Sequence, residues 1–418
     1  MTRAARRTFH SLRYRNYRLF FGGQIVSQTG SWMQRIALGW YILQLTHSPF
    51  DVGVMAFAQF LPYMAFGLFA GVLTDRLDAR RTVIATQVAQ LVSASALAWI
   101  ALGGFAEPWM LFTIAFINGT VLVLDVPSRQ QLTYRMVGRE DLPNAIALNS
   151  TLFNASRIFG PAVAGVILVA GAGVCFLVNA ISFLAVLIGL LAMRVSEFFP
   201  LEEFERPKIL AGTREGLAWV RRQPRMLVIL ALTFVLSTVA FNFNVTLPVL
   251  AKVTLHGHSY TYGLLSAVFG AGALLGALAA ASLGRASIKV LLVGAAIFTG
   301  CELLLAPVHS AILAGALLFL IGAGFTAWSA NSNASLQLAA PDHLRGRVIG
   351  LYFYAFNGTG AIAGIMTGWL CDQGGTELAF AFSGILGLVA TGLAAVRLGW
   401  TPRLTTLRRG GEPQHANG

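Results

Sequence analysis

Long apolar runs separated by short polar gaps fill this chain, and the length of the runs decides what they are. They predict helices near 19–45, 50–73, 82–103, 108–128, 143–169 and 172–193. After a polar segment over 194–225, six more follow near 226–251, 260–283, 288–307, 310–335, 346–370 and 376–398. At a rise of about 1.5 Å per residue, each is long enough to cross about 30 Å of hydrocarbon. The pattern therefore predicts an all-α integral membrane protein of twelve transmembrane helices. They fall into two six-helix bundles over 19–193 and 226–398, joined by a linker over 194–225 and flanked by tails at 1–18 and 399–418.

The turn between the second and third helices orients the rest. Asp75, Arg76, Asp78, Arg80 and Arg81 place five charges in seven residues, which cannot sit in hydrocarbon. Lys and Arg in short loops are retained in the cytoplasm, so this turn and every second gap face that side. The resulting thread collects 27 of the 30 Lys and Arg residues on one face and returns both termini to it. Only Lys252 falls on the opposite face, while Arg35 and Arg157 lie inside helices.

Composition agrees with a polytopic protein: 56% of residues are apolar, 11% are charged, and mean hydropathy is +0.68. The formal charge of +13 does not point to nucleic acid, because the basic residues occupy the gaps between apolar runs rather than one folded face. Cys175, Cys301 and Cys371 have no metal-ligand spacing and no pairing pattern, so free thiols are expected. The first apolar run is too long for a signal-peptide core and is interrupted by Gln24, Gln28 and Arg35, so it is expected to be retained as a helix.

The two halves resemble each other. Residues 71–80 can be laid on 276–285 at an offset of 205, each stretch following the second helix of its half. Residues 143–165 and 343–368 both run from a basic turn into a glycine-rich helix. Two bundles related by duplication suit alternating access, in which one rocks against the other.

Several motifs carry a family resemblance. The stretch from Gly71 to Arg81 resembles the cytoplasmic signature of the major facilitator superfamily, with Asp78 where a glycine is more usual. Asp125 to Arg129, Leu142 to Asn149, Arg157 to Gly165 and Arg345 to Arg347 resemble the branch of macrolide-type drug exporters and the enterobactin (siderophore) exporter. Glu215 to Pro224 resembles the central-loop helix of that branch. The resemblance implies an exporter of an amphiphilic small molecule from the cytoplasm across a bacterial inner membrane, driven by proton antiport, with a monomer expected as the working unit.

On this reading Gly71, Asp75, Arg76, Arg80, Asp125 and Arg129 form a cytoplasmic gate. Gly71 permits close helix approach. Asp75 is placed to accept hydrogen bonds from a helix N-terminus, where the dipole favours an anion. In the family that terminus lies near Gly346, and the neighbouring arginine approaches Asp125. An ordinary basic turn explains the same residues. Gly160, Pro161 and Gly165 resemble part of an exporter signature, although Ser156 replaces an upstream glycine; a generic packing kink is the alternative.

Charged and polar groups inside the runs are the substrate or coupling candidates: Gln28, Trp32, Arg35, Arg157, Asn242, Glu302 and Trp328. Arg35 is expected to face a central cavity or a buried acid, since stranding it in lipid is expensive. Glu302 is either a proton carrier or a partner for a polar group on the next helix. Aromatic area with a few amides suits a large amphiphile, and the two arginines tilt it toward an anionic or phenolic one. The segment around Leu217 and Trp219, with Arg221 and Arg222, predicts a short helix at the membrane interface.

No nucleotide-binding glycine loop, metal site or compact catalytic cluster stands in the sequence, so an ion-gradient transporter without a cofactor is favoured over an ATP-driven pump or an enzyme. An importer or facilitator of a small metabolite, and a receptor or scaffold, remain open alternatives.

Overall fold

The computed structural model describes residues 9–200, 209–282 and 286–399, with the side chains at 68, 70–72, 75, 209–213 and 342–343 left aside. Residues 1–8 and 400–418 of the expected tails, and 201–208 of the linker, lie outside those residues. The chain is helical almost throughout. In order it forms α1 (Arg15–Thr46), α2 (Pro49–Asp75), α3 (Ala79–Gly103), α4 (Pro108–Ile167) and α5 (Ala172–Leu191). Then follow α6 (Ile209–Arg222), α7 (Pro224–Val239), α8 (Phe243–Val249), α9 (Ser259–Ser282), α10 (Ile288–Leu305), α11 (Ala311–Ala339), α12 (Asp342–Asn357) and α13 (Gly360–Arg397).

The starts of these helices are written locally. Pro49, Pro108 and Pro224 occupy first-turn positions, where a missing amide costs nothing. Ser48 accepts from the Asp51 amide at 3.2 Å, and Asp78 accepts from the Arg81 amide at 2.9 Å. The turn at 76–78 is therefore a tight cap as well as a basic loop.

Two expected gaps are narrower than the hydropathy pattern suggested. The polar stretch 129–142 is helical on both sides of Gly138, whose φ of +74° reverses the chain inside α4. Gly374 and Gly375 make the equivalent break inside α13, with φ of +67° at Gly375. Glycine supplies these conformations without the steric cost a side chain would bring. Conversely, two expected helices are interrupted: the run over 346–370 is split at Gly358–Thr359 between α12 and α13, and the run over 226–251 is split at Ala240–Asn242 into α7 and α8, followed by a π turn over Leu250–Thr254. Asn242 holds the break, donating its side-chain amide to Thr238 O at 2.9 Å while its own carbonyl accepts from Val245 and Thr246.

Among the described residues, nine helical stretches are long and apolar enough to cross a membrane. Two of them, of 63 and 54 residues, contain the glycine reversals. Helix α1 is absent from the nine, because Gln24, Gln28, Gln34 and Arg35 dilute its apolar content. Large apolar side chains cover the outside, including Trp99 at 71%, Ile188 at 68% and Ile312 at 88% exposure. A water-facing surface does not tolerate so much contiguous apolar area; hydrocarbon does.

Packing divides the helices at the long polar segment. In the first half α1 packs on α4 and α5, α3 on α4 and α5, and α2 on α4. In the second, α11 packs on α9 and α10, and α13 on α7 and α10. The halves meet chiefly through α2 against α13 and α4 against α9. Both seams are backbone contacts made possible by glycine. A Cβ on Gly53 would stand 2.5 Å from Gly364 O, and one on Gly263 would stand 2.6 Å from the Gly165 Cα and 2.7 Å from Pro161 O. These seams lie toward the helix ends remote from the basic turns.

The amphipathic helix expected in the linker is present as α6. It packs on α12, and Arg347 is paired with Glu215. Cys175, Cys301 and Cys371 are free and buried.

Candidate functional site

Side chains from both halves converge midway along the helices. On α1, the Arg35 guanidinium lies 4.5 Å from the centre of the Trp32 ring. Trp32 packs edge-on to Phe153 and sits against Gly160, where a Cβ would come within 2.4 Å of its own Cβ. Gly160 thus serves to bring α1 onto the second limb of α4, and Gly165 and Pro161 do the same for α9. These three residues act as packing elements in the geometry on view.

From α4, Arg157 reaches across to the second half. Its guanidinium lies 5.6 Å from the Phe269 ring on α9 and 5.9 Å from the Phe325 ring on α11. Those rings belong to a continuous aromatic nest. Phe241, at the break between α7 and α8, stacks on Phe325 with centroids 4.4 Å apart and packs on Phe356 at 5.4 Å. Phe298, Trp328 and Tyr352 extend the nest. Trp328 is fully buried and its indole N–H has no acceptor. The break at Ala240–Asn242 places Phe241 between α7 and α8, in contact with rings of α8, α11 and α12.

Neither arginine has an acidic partner. Among the described residues Arg35 and Arg157 make no ion pair and no hydrogen bond, and the Arg157 Nε is buried without an acceptor. One turn along α1 from Arg35, a Cβ on Gly39 would stand 3.3 Å from the Tyr262 hydroxyl of α9. Tyr262 itself stacks on Trp40, so α1 and α9 touch across the seam.

The other sequence candidates are dispersed. Glu302 is 1% exposed on α10, and its Oε2 has no hydrogen-bond partner. No contact joins it to either mid-helix arginine among the described residues. Asn242 is spent on the helix break. Gln28 is half-buried on α1, one turn from Trp32.

The expected gate resolves into two separate arrangements. Asp125 is 2% exposed, with its Oδ2 2.6 Å from Arg129 Nε, although not along the N–H direction. Thr86 donates to its Oδ1 at 2.6 Å and Gln87 at 3.2 Å, and Arg129 also donates to Gln24. This network ties α1, α3 and α4 together. The resemblance implied an approach of Arg76 to Asp125 in an outward-facing state; in this conformation Arg76 is exposed, and Asp125 is held by its own helix and α3. Arg80 instead donates to Leu190 O at 2.9 Å, closing the C-terminal end of α5. Gly71 and Asp75 lie outside the described side chains.

Two features on the basic face were not legible in the sequence. Asp78 pairs with Arg135 at 3.2 Å in addition to capping α3. Its partial burial would raise the carboxyl, yet the Arg81 amide and the Arg135 guanidinium outweigh that and hold it below the usual carboxylate range. The turn following α4's reversal is gripped by the N-terminal segment, with Arg13, Tyr14 and His10 all on Asp141 at 2.7–2.9 Å. Two apolar grooves, one of about 360 Å³ beside Gly276 and Lys289, open on the outside of α9 to α11 and do not join the aromatic nest.

Residues 6–404 match the family described as transmembrane secretion effector, of the major facilitator type. The chain belongs to this family. It is 25% identical over 296 residues to macrolide efflux protein A of Streptococcus pyogenes, covering 68% of this chain and 72% of the relative. It is likewise 25% identical over 339 residues to the staphyloferrin A transporter of Staphylococcus aureus, covering 79% and 84%. Among solved structures, nucleoside transporter NupG shares the fold, with a TM-score of 0.74 at 12% identity over 92% of this chain and all of the other. The family member described here is thus a multi-pass protein of the bacterial inner membrane. It is a secondary transporter of small molecules with an alternating-access fold, and not an enzyme.

Proposed function

We propose that the chain exports an amphiphilic small molecule, a drug-like compound or a siderophore, from the cytoplasm by proton antiport. The observation that carries this reading is the aromatic nest at the α7–α8 break, faced by Arg157 from the other half. A site shared between halves changes shape when one rocks against the other, which is the requirement for alternating access.

The helix count fits. Dividing the two long stretches at Gly138 and Gly374–Gly375 and adding α1 to the nine membrane-length stretches makes twelve crossings, six on each side of the polar linker. Even crossings keep both ends on the basic, cytoplasmic face. The seams through Gly53 and Gly263 hold the halves together near the opposite face, so the nest is reached from the basic side. Asp125 is neutralised by Arg129, which leaves Glu302 as the span's unpaired acid and our candidate proton carrier. We take the monomer as the working unit, with lipid around it and no nucleic acid or cofactor involved.

Inverted vesicles carrying the protein test this directly. Macrolides, siderophores and related amphiphiles should accumulate inside them under an imposed proton gradient. Accumulation that persists after both the gradient and the membrane potential are collapsed would exclude proton antiport, and the absence of accumulation of every compound would exclude export.

A further inference from the structure

We propose that the transported molecule is an amphiphile bearing two acidic groups, held between Arg35 and Arg157 with its apolar body on the aromatic nest. The assignment rests on the transport reading above and goes beyond it, because that reading admits neutral and cationic drugs equally.

Three observations lead to it. First, an arginine cannot discard its charge, and placing one inside the membrane span is costly unless an anion or a set of acceptors receives its five donors. Aromatic faces contribute to holding Arg35 and Arg157, but they accept none of those N–H groups in the plane of the guanidinium. Neither acid inside the span serves them: Asp125 is held by Arg129, Thr86 and Gln87, and Glu302, itself unpaired, contacts neither arginine among the described residues. Among the described residues, the two arginines therefore have no counter-charge in contact with them.

Second, both arginines stand beside one stripe of one helix. On α9, Tyr262 meets α1 at Gly39, one turn from Arg35, and Phe269, seven residues further along, lies against Arg157. Seven residues make two turns on the same face, about 10 Å along the axis. Acidic groups separated by about that distance would engage both arginines at once.

Third, the side chains beside Arg157 are aromatic and continue to Phe241 and Phe356, and they include a buried donor without an acceptor in Trp328 Nε1. Phe241 and Phe356, each only part-buried, offer ring faces for an apolar body. A cationic amphiphile would meet the same rings but would bring a third positive charge into the span, so the site selects against it.

Biphenyl-4,4′-dicarboxylate is a suitable probe, with carboxylates at the two ends of a flat apolar body. Its binding to the full-length protein in nanodiscs of zwitterionic lipid is followed by tryptophan quenching and by calorimetry, beside the dimethyl ester and the matching bis-amidine. We expect the dicarboxylate to bind at least about tenfold tighter than the ester, and the bis-amidine to bind weakest. Arg35→Gln and Arg157→Gln should each weaken the dicarboxylate about tenfold or more, with Arg→Lys at either position restoring part of the loss. The thermal midpoint and gel-filtration profile of each variant separate loss of binding from loss of fold. A dicarboxylate no tighter than the ester or the bis-amidine, or one unaffected by both glutamine variants, overturns the proposal. The vesicle assay keeps the two readings apart. Gradient-driven uptake of neutral amphiphiles that survives Arg157→Gln, with no dicarboxylate binding, removes the anion site and leaves transport standing. Tight, arginine-dependent binding of a dicarboxylate that is never moved does the reverse.

Discussion

Asp125 and Arg129, near the basic face, and Arg35 and Arg157, halfway along the helices, are buried charges of the same protein treated in opposite ways. The first pair neutralise each other, and Thr86, Gln87 and Gln24 take up much of the remaining hydrogen-bonding capacity. The second pair have aromatic rings for neighbours and no acid. A charge-compensated network needs no external ion and can act as a rigid joint among α1, α3 and α4. An uncompensated one is a standing demand for an anion, and it sits where two halves of an alternating-access fold face each other.

Removing one partner from the compensated network should therefore have the largest effect on stability. Asp125→Ala strands Arg129 and is expected to cost about 3 kcal/mol or more. Asp125→Leu with Arg129→Met should recover most of that, as read by thermal unfolding in detergent. If the double variant is no better than the single one, the pair is not the joint described here.

The seams between the halves come next. Gly263→Val puts two methyl groups where a Cβ alone stands 2.6 Å from Gly165. Overpacking of this kind typically costs about 1–3 kcal/mol, here charged to the conformation closed at that end. Transport should fall about tenfold while binding from the basic side persists, and equal loss of both would contradict the assignment of the seam.

Arg157→Gln should behave in the opposite sense to Asp125→Ala. It removes an uncompensated charge, so the thermal midpoint should stay level or rise while gradient-driven uptake is lost. A midpoint that falls as far as in Asp125→Ala would make Arg157 a structural residue.

The smallest effect is expected in the turn at 76–78. Asp78→Ala removes the α3 cap and the Arg135 contact, for about 1 kcal/mol. The Asp78 carboxyl is held below its unfolded value, so its contribution is fully present above about pH 4 and fades as pH falls through the depressed value. The difference between wild type and Asp78→Ala should shrink correspondingly in acid unfolding curves.

How far the sequence reaches can be judged from these same residues. The helical runs and the amphipathic α6 are legible because each depends on neighbours within a few positions. So was the suspicion attached to Arg35 and Arg157, since a charge inside an apolar run is anomalous whatever surrounds it. The roles within the gate were not legible: Arg80 closes α5, and Asp125 is held by Thr86 and Arg129 rather than by Arg76. Nor did periodicity give notice of the break at Ala240–Asn242, where the run stays apolar while the backbone turns aside.

What the sequence alone determined, then, is a membrane-spanning chain of alternating apolar helices with its basic turns on one face, because burial of apolar length and retention of Lys and Arg are properties of segments taken one at a time. Which charges are satisfied and which are left over is decided only when α1, α4, α9 and α11 come together. Compensation is a relation between side chains far apart in the chain, and the glycines at 53, 160 and 263 set it by letting backbones approach where any side chain would hold them apart.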